Sequence, residues 1–463
     1  MSFRLELSDC AEALPAQLVG DSVAIHGVSI DTRTLKPGDL YVAIVGERFD
    51  GHDFVDDALQ AGAAAVMVQR RSDISLPQLE VSNTQSALGE LGKYWAARFS
   101  IPIIAVTGSN GKTTVKEIIA SILGQLGPVL STKGNLNNEL GVPLTLLDIR
   151  DEHLYAVIEM GANHAGEIAR LVALAKPDVA LVTNIGTAHL EGFGSVEGIA
   201  AAKSEIYAGL KPSGYGVINA DDKFAPFMRT ACEHCHRREF GLSLDADVSA
   251  LPGDELVIAS MGEKMSPRFQ LVGEHNYMNA LAAVAAVQCF DVDTSSIVSG
   301  LEAVTAVPGR LEKKAGAAGT TIIDDTYNAN PESTRSAINV LKDYQGRRFL
   351  ILGDMKELGD DARQLHRAIG EFARCQGIDG LWTVGELSRE AHEAFHDAGS
   401  EHAVATGAHF NDQQALIDDL HGHLDNDVTI LVKGSRSSRM ETVVGALLDT
   451  SMQVHDRLAR PQA

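Results

Sequence analysis

Short apolar runs alternate with turn clusters over the first hundred residues. Residues 23–30, 40–45 and 64–68 are mostly apolar and short enough for strands, and Lys36-Pro37-Gly38-Asp39 supplies a turn between two of them. From 53 to 61, Phe54, Val55, Ala58 and Leu59 recur at helical spacing. The pattern changes at Ile101-Pro102-Ile103-Ile104-Ala105-Val106, an unbroken apolar run that suits a strand covered on both faces. Similar runs follow at 155–158, 179–183 and 215–219, with helical patterns at 115–126 and 167–175 between them. Residues 224–240 read as a further amphipathic helix. After Pro308-Gly309-Arg310 the alternation restarts, with strands expected at 321–324, 349–352, 381–384 and 428–432. Strand and helix in turn predict parallel sheets with right-handed crossovers. The expected fold is α/β in three domains. These are a small mixed α/β unit over 1–100, a central parallel sheet over 101–308 and a Rossmann-like sheet over 309–463. A length of 463 residues agrees with that number.

Composition narrows the function. Lys plus Arg number 39 against 62 Asp plus Glu, a net charge of −23. Such a field repels nucleic acid and anionic membranes. A site for an anionic nucleotide then calls for a local basic cluster. The first nine residues carry Glu6 and Asp9 and resemble no signal peptide, and no run of about 18 apolar residues exists to cross a membrane. Five cysteines in so long a chain make no disulfide framework. Cys232, Cys235 and His236 spell the haem-attachment pattern, but without export they read as thiols carried on a helix. The expectation is a cytoplasmic monomer acting on small molecules.

Candidate chemistry begins at Thr107-Gly108-Ser109-Asn110-Gly111-Lys112-Thr113-Thr114, between a buried strand and a helix start. Glycines there let backbone N–H groups turn toward phosphate oxygens, and the helix dipole adds positive potential. Lys112 can reach the β- and γ-phosphates of ATP, and the Thr113 hydroxyl suits Mg²⁺. The common motif would have its first glycine where Val106 stands, so this loop is a shortened form. On the loop alone, a motor or another ATPase of this loop class stays open. Glu159 and His189 also follow expected strands, and Lys203 lies on an expected helix. Ligands of open parallel sheets sit at strand carboxyl ends, so these groups can converge on the loop.

The loop, the Asn184-Ile185-Gly186-Thr187-Ala188-His189 segment and Lys203 resemble the Mur ligase superfamily in order and spacing. His275-Asn276-Tyr277-Met278-Asn279-Ala280 and Pro308-Gly309-Arg310-Leu311-Glu312 do so too. The resemblance implies that Thr113, Glu159, His189 and a carbamate on Lys203 hold Mg²⁺, with Lys112, His189 and Lys203 catalytic. It implies adenine near Asn276, nucleotide phosphates near Arg310 and ribose near Asp325. Asp324-Asp325-Thr326-Tyr327-Asn328-Ala329-Asn330-Pro331-Glu332-Ser333 is similar to the branch that adds D-alanyl-D-alanine to a UDP-linked muramoyl tripeptide. So are Gly134-Asn135-Leu136-Asn137-Asn138-Glu139-Leu140-Gly141, Gly353-Asp354-Met355-Lys356-Glu357-Leu358-Gly359 and Val432-Lys433-Gly434-Ser435-Arg436. That branch implies substrate contacts at Asn135, Asn137, Asn138, Tyr327, Asn328, Asn330, Lys433 and Arg436. Ser29, Asp31 and Arg33, with Phe49-Asp50-Gly51-His52, resemble its UDP-sugar platform, with Thr32 where serine is common. The implied reaction passes through an acyl-phosphate and releases ADP. Rival readings are a ligase adding a single amino acid, folylpolyglutamate synthase, an ATPase coupled to motion or signalling, and a non-catalytic nucleotide-binding module.

Overall fold

Every position of the strand Ile103–Thr107 is buried, as a strand inside a sheet with both faces covered requires. This computed structural model describes residues 3–187, 190–251, 255–397 and 406–448. Ile103–Thr107 lies between Tyr155–Glu159 and Val179–Val182 and runs parallel to both. Val129–Ser131 closes one edge of this nine-stranded sheet. Tyr215–Asn219, His236–Gly241 and Val248–Leu251 extend the other side in parallel, and two antiparallel strands finish it. The chain therefore leaves Ile103–Thr107 first to one side and later to the other. A crevice opens at the strand carboxyl ends where such a reversal occurs. Ile104, Val106 and Leu181 pack on one face against the helices Lys112–Leu123 and Glu274–Val287. Ala105, Ile158 and Ala180 fill the other face with Ile168, Leu171 and Ile206.

The N-terminal unit carries a five-stranded sheet in the order Gln17–Val19, Gln78–Glu80, Ala65–Val68, Asp39–Val42, Gly27–Ser29. The apolar run at 23–30 divides between two sheets. Ala24–Ile25 pairs with Leu5–Glu6, while Gly27–Ser29 pairs with Asp39–Val42. The helical pattern at 53–61 forms a 3₁₀ turn, Gly51–Phe54, and then the helix Val55–Gln60. The helix Thr84–Ala96 packs on Gly141–Leu147 of the central unit as well as on its own sheet's core. Gly92 permits this: a Cβ there would meet Pro143 O at 2.9 Å. Trp95 Nε1 donates to Ile149 O at 3.0 Å across the same junction. Leu88, Leu91 and Trp95 thus share one apolar core with Leu146 and Leu171.

In the C-terminal unit, a six-stranded sheet runs Glu312–Ala315, Thr321–Asp325, Val428–Lys433, Arg347–Gly353, Gly380–Val384, His409–Phe410, parallel except at its first strand. Its two apolar layers are separate from the other cores.

One expected element is corrected. Residues 224–240 form a short helix, Ala225–Ala231, and then the strand His236–Gly241. Four consecutive polar residues, His236 to Glu239, hide the strand alternation, and backbone pairing with Tyr215–Asn219 decides the conformation. Arg229 ties helix to strand with two bonds of 2.7 Å to Glu239. Cys232 is buried above Gly216, and burial pushes its thiol pKa up. Among the described residues, no group of three His, Cys, Asp or Glu side chains is arranged to hold a metal, and no helix is long and apolar enough to cross a membrane.

Candidate active site

Two positions in the loop need glycine. Gly108 has φ +148°, and a Cβ on it would lie 1.8 Å from Thr183 Oγ1. Gly111 has φ +81°, and a Cβ there would lie 2.4 Å from Asn279 Oδ1. The loop is clamped from the neighbouring strand end. Ser109 N donates to Asn184 O at 2.9 Å and Asn110 N to Asn184 Oδ1 at 3.0 Å. Thr183 Oγ1 and Asn184 Nδ2 both donate to Asn110 O, at 2.6 and 3.1 Å. The expectation that successive loop amides face phosphate is therefore narrowed, because those of Ser109 and Asn110 are already committed. Residues 111–114 line the cleft ahead of the first helical bond, Val115 N to Gly111 O. Lys112 Nζ folds back on Gly108 O at 2.7 Å. Burial holds its pKa below the ordinary lysine value, opposed by Glu159 and reinforced by Arg310.

Glu159 is only 2% exposed. Its carboxylate accepts from Thr113 Oγ1 at 2.9 Å and from Asn137 Nδ2 at 2.8 Å. The same Thr113 hydroxyl accepts from Arg310 Nη2 at 2.9 Å. Arg310 stacks 4.1 Å from the centre of the Tyr327 ring, and its buried Nε has no hydrogen-bond partner among the described residues. Two further polar contacts cross the same gap. Asn330 Nδ2 donates to Asn110 Oδ1 at 2.8 Å, and Glu332 accepts from Thr187 N and Oγ1 at 3.1 and 2.7 Å.

The resulting cleft, about 590 Å³, gathers most of the expected residues. Ser109 to Thr114 form one wall, with Asn135, Asn137, Asn138 and Glu159 beside them. Asn276 and Arg310 also line it, and Asp325, Tyr327, Asn328, Asn330 and Lys433 come from the C-terminal unit. Lys433 Nζ pairs with Asp325 and also donates to Asn328 O at 3.0 Å. Burial raises the Asp325 pKa while Lys433 opposes it. His275, also in the wall, is held down to about 4 by burial and secondarily by Lys433.

Five expected residues lie elsewhere. Arg436 borders an adjoining cavity of about 560 Å³ with Lys356 and Arg439, joined to the cleft through residues 328–330. Ser29, Asp31 and Arg33 cluster on the N-terminal unit, where the Arg33 guanidinium holds the Asp31 carboxyl down to about 2. Lys203, on the helix Val196–Ser204, is buried and is not part of the cleft lining. Burial, with Lys112 adding to it, holds its pKa well below the usual lysine range. His189 falls outside the described residues.

The cleft is not the basic cluster that net charge suggested. Lys112, Arg310 and Lys433 share it with Glu159, Glu167, Asp325 and Glu332. Thr183, Asn184, Asn219 and Asp222 were not singled out individually in the sequence. Asn219 Nδ2 donates to Thr183 O at 3.0 Å, and Asp222 accepts from Ile185 N at 2.7 Å, so both brace the clamp. Their one signal is polarity at the end of an apolar run.

Three family descriptions match the chain in order. They are "Mur ligase family, catalytic domain" over 24–98, "Mur ligase middle domain" over 106–287 and "Mur ligase, glutamate ligase domain" over 309–436. The UDP-N-acetylmuramoyl-tripeptide–D-alanyl-D-alanine ligase of Escherichia coli is 42% identical, covering 95% of this chain and 98% of that relative. A crystal structure of MurF from Acinetobacter baumannii superposes with TM-score 0.88 at 36% identity, covering 96% of this chain and 98% of that one. The Thermotoga maritima MurF ligase in complex with ADP gives TM-score 0.80 at 29% identity, covering 93% and 98%. With such identity over nearly its whole length and the same three-part architecture, the chain belongs to the Mur ligase family.

Proposed function

We propose that the chain is an ATP-dependent ligase that joins D-alanyl-D-alanine to UDP-N-acetylmuramoyl-tripeptide, a step of peptidoglycan precursor synthesis. The observation that carries the reading is the Thr113 hydroxyl, bonded at once to Glu159 and to Arg310. It joins the phosphate loop, a strand-end carboxylate and the C-terminal unit at one point of one cleft. Relatives of that name and the ADP complex of a structural neighbour support the same reaction and ATP as its substrate.

Residues 1–100 bind the UDP-muramoyl peptide, 101–308 bind ATP, and 309–463 bind the amine and complete the nucleotide site. A carboxylate oxygen of the tripeptide attacks the γ-phosphorus, the bond to the bridging oxygen breaks, and ADP leaves. Lys112 and the amides of residues 111–114 stabilise the charge on the transferring group. The dipeptide nitrogen then attacks the acyl carbon, the acyl–oxygen bond breaks, phosphate leaves, and the nitrogen gives up a proton. Arg436, with Lys356 and Arg439 in the adjoining cavity, suits the dipeptide carboxylate, and Asn328 and Asn330 lie between that cavity and the loop. The polar contacts across the cleft favour exclusion of water, which would otherwise hydrolyse the acyl-phosphate.

The Thr113 hydroxyl and Glu159 carboxylate are hard oxygen donors, the kind Mg²⁺ prefers. Four carboxylates in a cleft for triphosphate also call for a divalent cation. His189 and Lys203 complete the expected set. Bound Mg²⁺ supplies charge neutralisation on the phosphates. Burial lowers the Lys203 pKa and so favours the neutral amine, the form that adds CO₂ to give an anionic carbamate. A cytoplasmic monomer handling small molecules completes the proposal.

Phosphate release, measured with each acceptor added and omitted, tests it. Turnover should require both tripeptide and D-alanyl-D-alanine. Turnover with a single amino acid or a folate would favour the sister ligases, and acceptor-free turnover would favour a plain ATPase.

A further inference from the structure

Lys116 is 1% exposed, one turn beyond Thr113, and the reaction above makes no use of it. Its ammonium donates to Thr132 O at 2.6 Å and pairs with the Glu117 carboxylate at 2.6 Å. A buried cation is costly unless its acceptors are fixed, so this contact is an ordered one.

Thr132 follows the edge strand Val129–Ser131, and its N–H donates to Val157 O at 3.1 Å, continuing the parallel ladder. In a parallel ladder the next bond would run from the Glu159 N–H to the Thr132 carbonyl. That carbonyl is taken by Lys116 instead. The Glu159 N–H donates to the Thr132 hydroxyl at 2.9 Å. A side chain thus replaces a backbone acceptor at the residue whose carboxylate receives Thr113 and Asn137.

We propose that Lys116 is a positioning residue: by holding the Thr132 carbonyl it turns the Thr132 hydroxyl under the Glu159 amide and so aims the Glu159 carboxylate at the divalent-cation site. The inference rests on the reading of Glu159 as a metal ligand. A merely structural lysine would affect stability alone.

The test is ADP binding to the full chain by titration calorimetry, with and without Mg²⁺. The unaltered protein should bind ADP more tightly with Mg²⁺. In Lys116→Met and in Thr132→Val, that Mg²⁺-dependent gain should shrink at least fivefold, with Mg²⁺-free binding within twofold. Thr132→Ser, which keeps the hydroxyl, should recover most of the gain. Thr132→Val tests the hydroxyl alone, so Lys116→Gln replaces Lys116→Met if that variant fails to fold, and an unaltered gain in a folded Lys116 variant overturns the proposal. A gain of unaltered size in Thr132→Val, or equal losses with and without Mg²⁺, overturns the proposal. No gain in the unaltered protein overturns the reading of Glu159 itself, and the positioning role with it.

Discussion

Gly108 shows how little freedom the phosphate loop has at single residues. Its φ of +148° and the 1.8 Å approach of Thr183 Oγ1 leave no room for a methyl group. Gly108→Ala should cost about 2 kcal/mol or more in nucleotide affinity, roughly thirtyfold, read by ADP titration. Lys112 presents the opposite case, since its ammonium bonds to carbonyls of its own loop. Lys112→Ala should cut ADP formation by about 10²–10³-fold or more while the melting temperature barely moves. A large drop in that temperature with activity retained would refute the assignment. Lys112, Thr113 and Glu159 were legible because a contiguous motif and a strand end announce them. The Asn110–Asn184 and Asn110–Asn330 bonds were not, since their partners lie 74 and 220 residues apart and asparagine is common in any turn.

The helix Pro331–Lys342 carries structure and site together. Asn330 caps it, accepting from Ser333 N, while Ser333 Oγ accepts from Asn330 N in return. Loss of such a cap costs about 1 kcal/mol. Asn330→Ala should therefore lower the unfolding midpoint modestly and reduce kcat/KM by more than that loss explains, because the bond to Asn110 goes with it. Equal effects on both would reduce Asn330 to a cap. The Asn-Pro start of this helix is readable from sequence. So are the covered strands, whose apolar runs are short and bounded by turn residues. The strand His236–Gly241 was not, because its pairing is imposed by Tyr215–Asn219 and its polar residues carry no alternating signal.

Acid sensitivity belongs to the molecule as a whole. Burial lowers the pKa of His275, to about 4, and of the fully buried His366, whose Nε2 accepts from Met355 N at 2.9 Å. An unfolded chain, with histidines near 6.5, binds more protons than the folded one below that value. Stability should thus begin to fall as pH drops below about 6.5, with the His275 share lost by about 4. Urea midpoints at pH 7.5 and 5.5 check this, and identical values would contradict it. The three domains were legible from alternation, but the way they join was not. Leu88, Leu91 and Trp95 look like ordinary helix-face residues, and only the fold reveals which unit they cover.

That junction has a mechanical consequence. The first two units are welded by oil, the third is fastened to them across the cleft by hydrogen bonds among Asn110, Thr113, Thr187, Arg310, Asn330 and Glu332. Water can replace the second kind of fastening cheaply and the first only at great cost. A cut near 305 should release two well-behaved fragments, whereas a cut near 100 should strand Trp95 and its neighbours in solvent and yield aggregate. Any opening of the cleft should therefore carry the third unit away while the first two stay together.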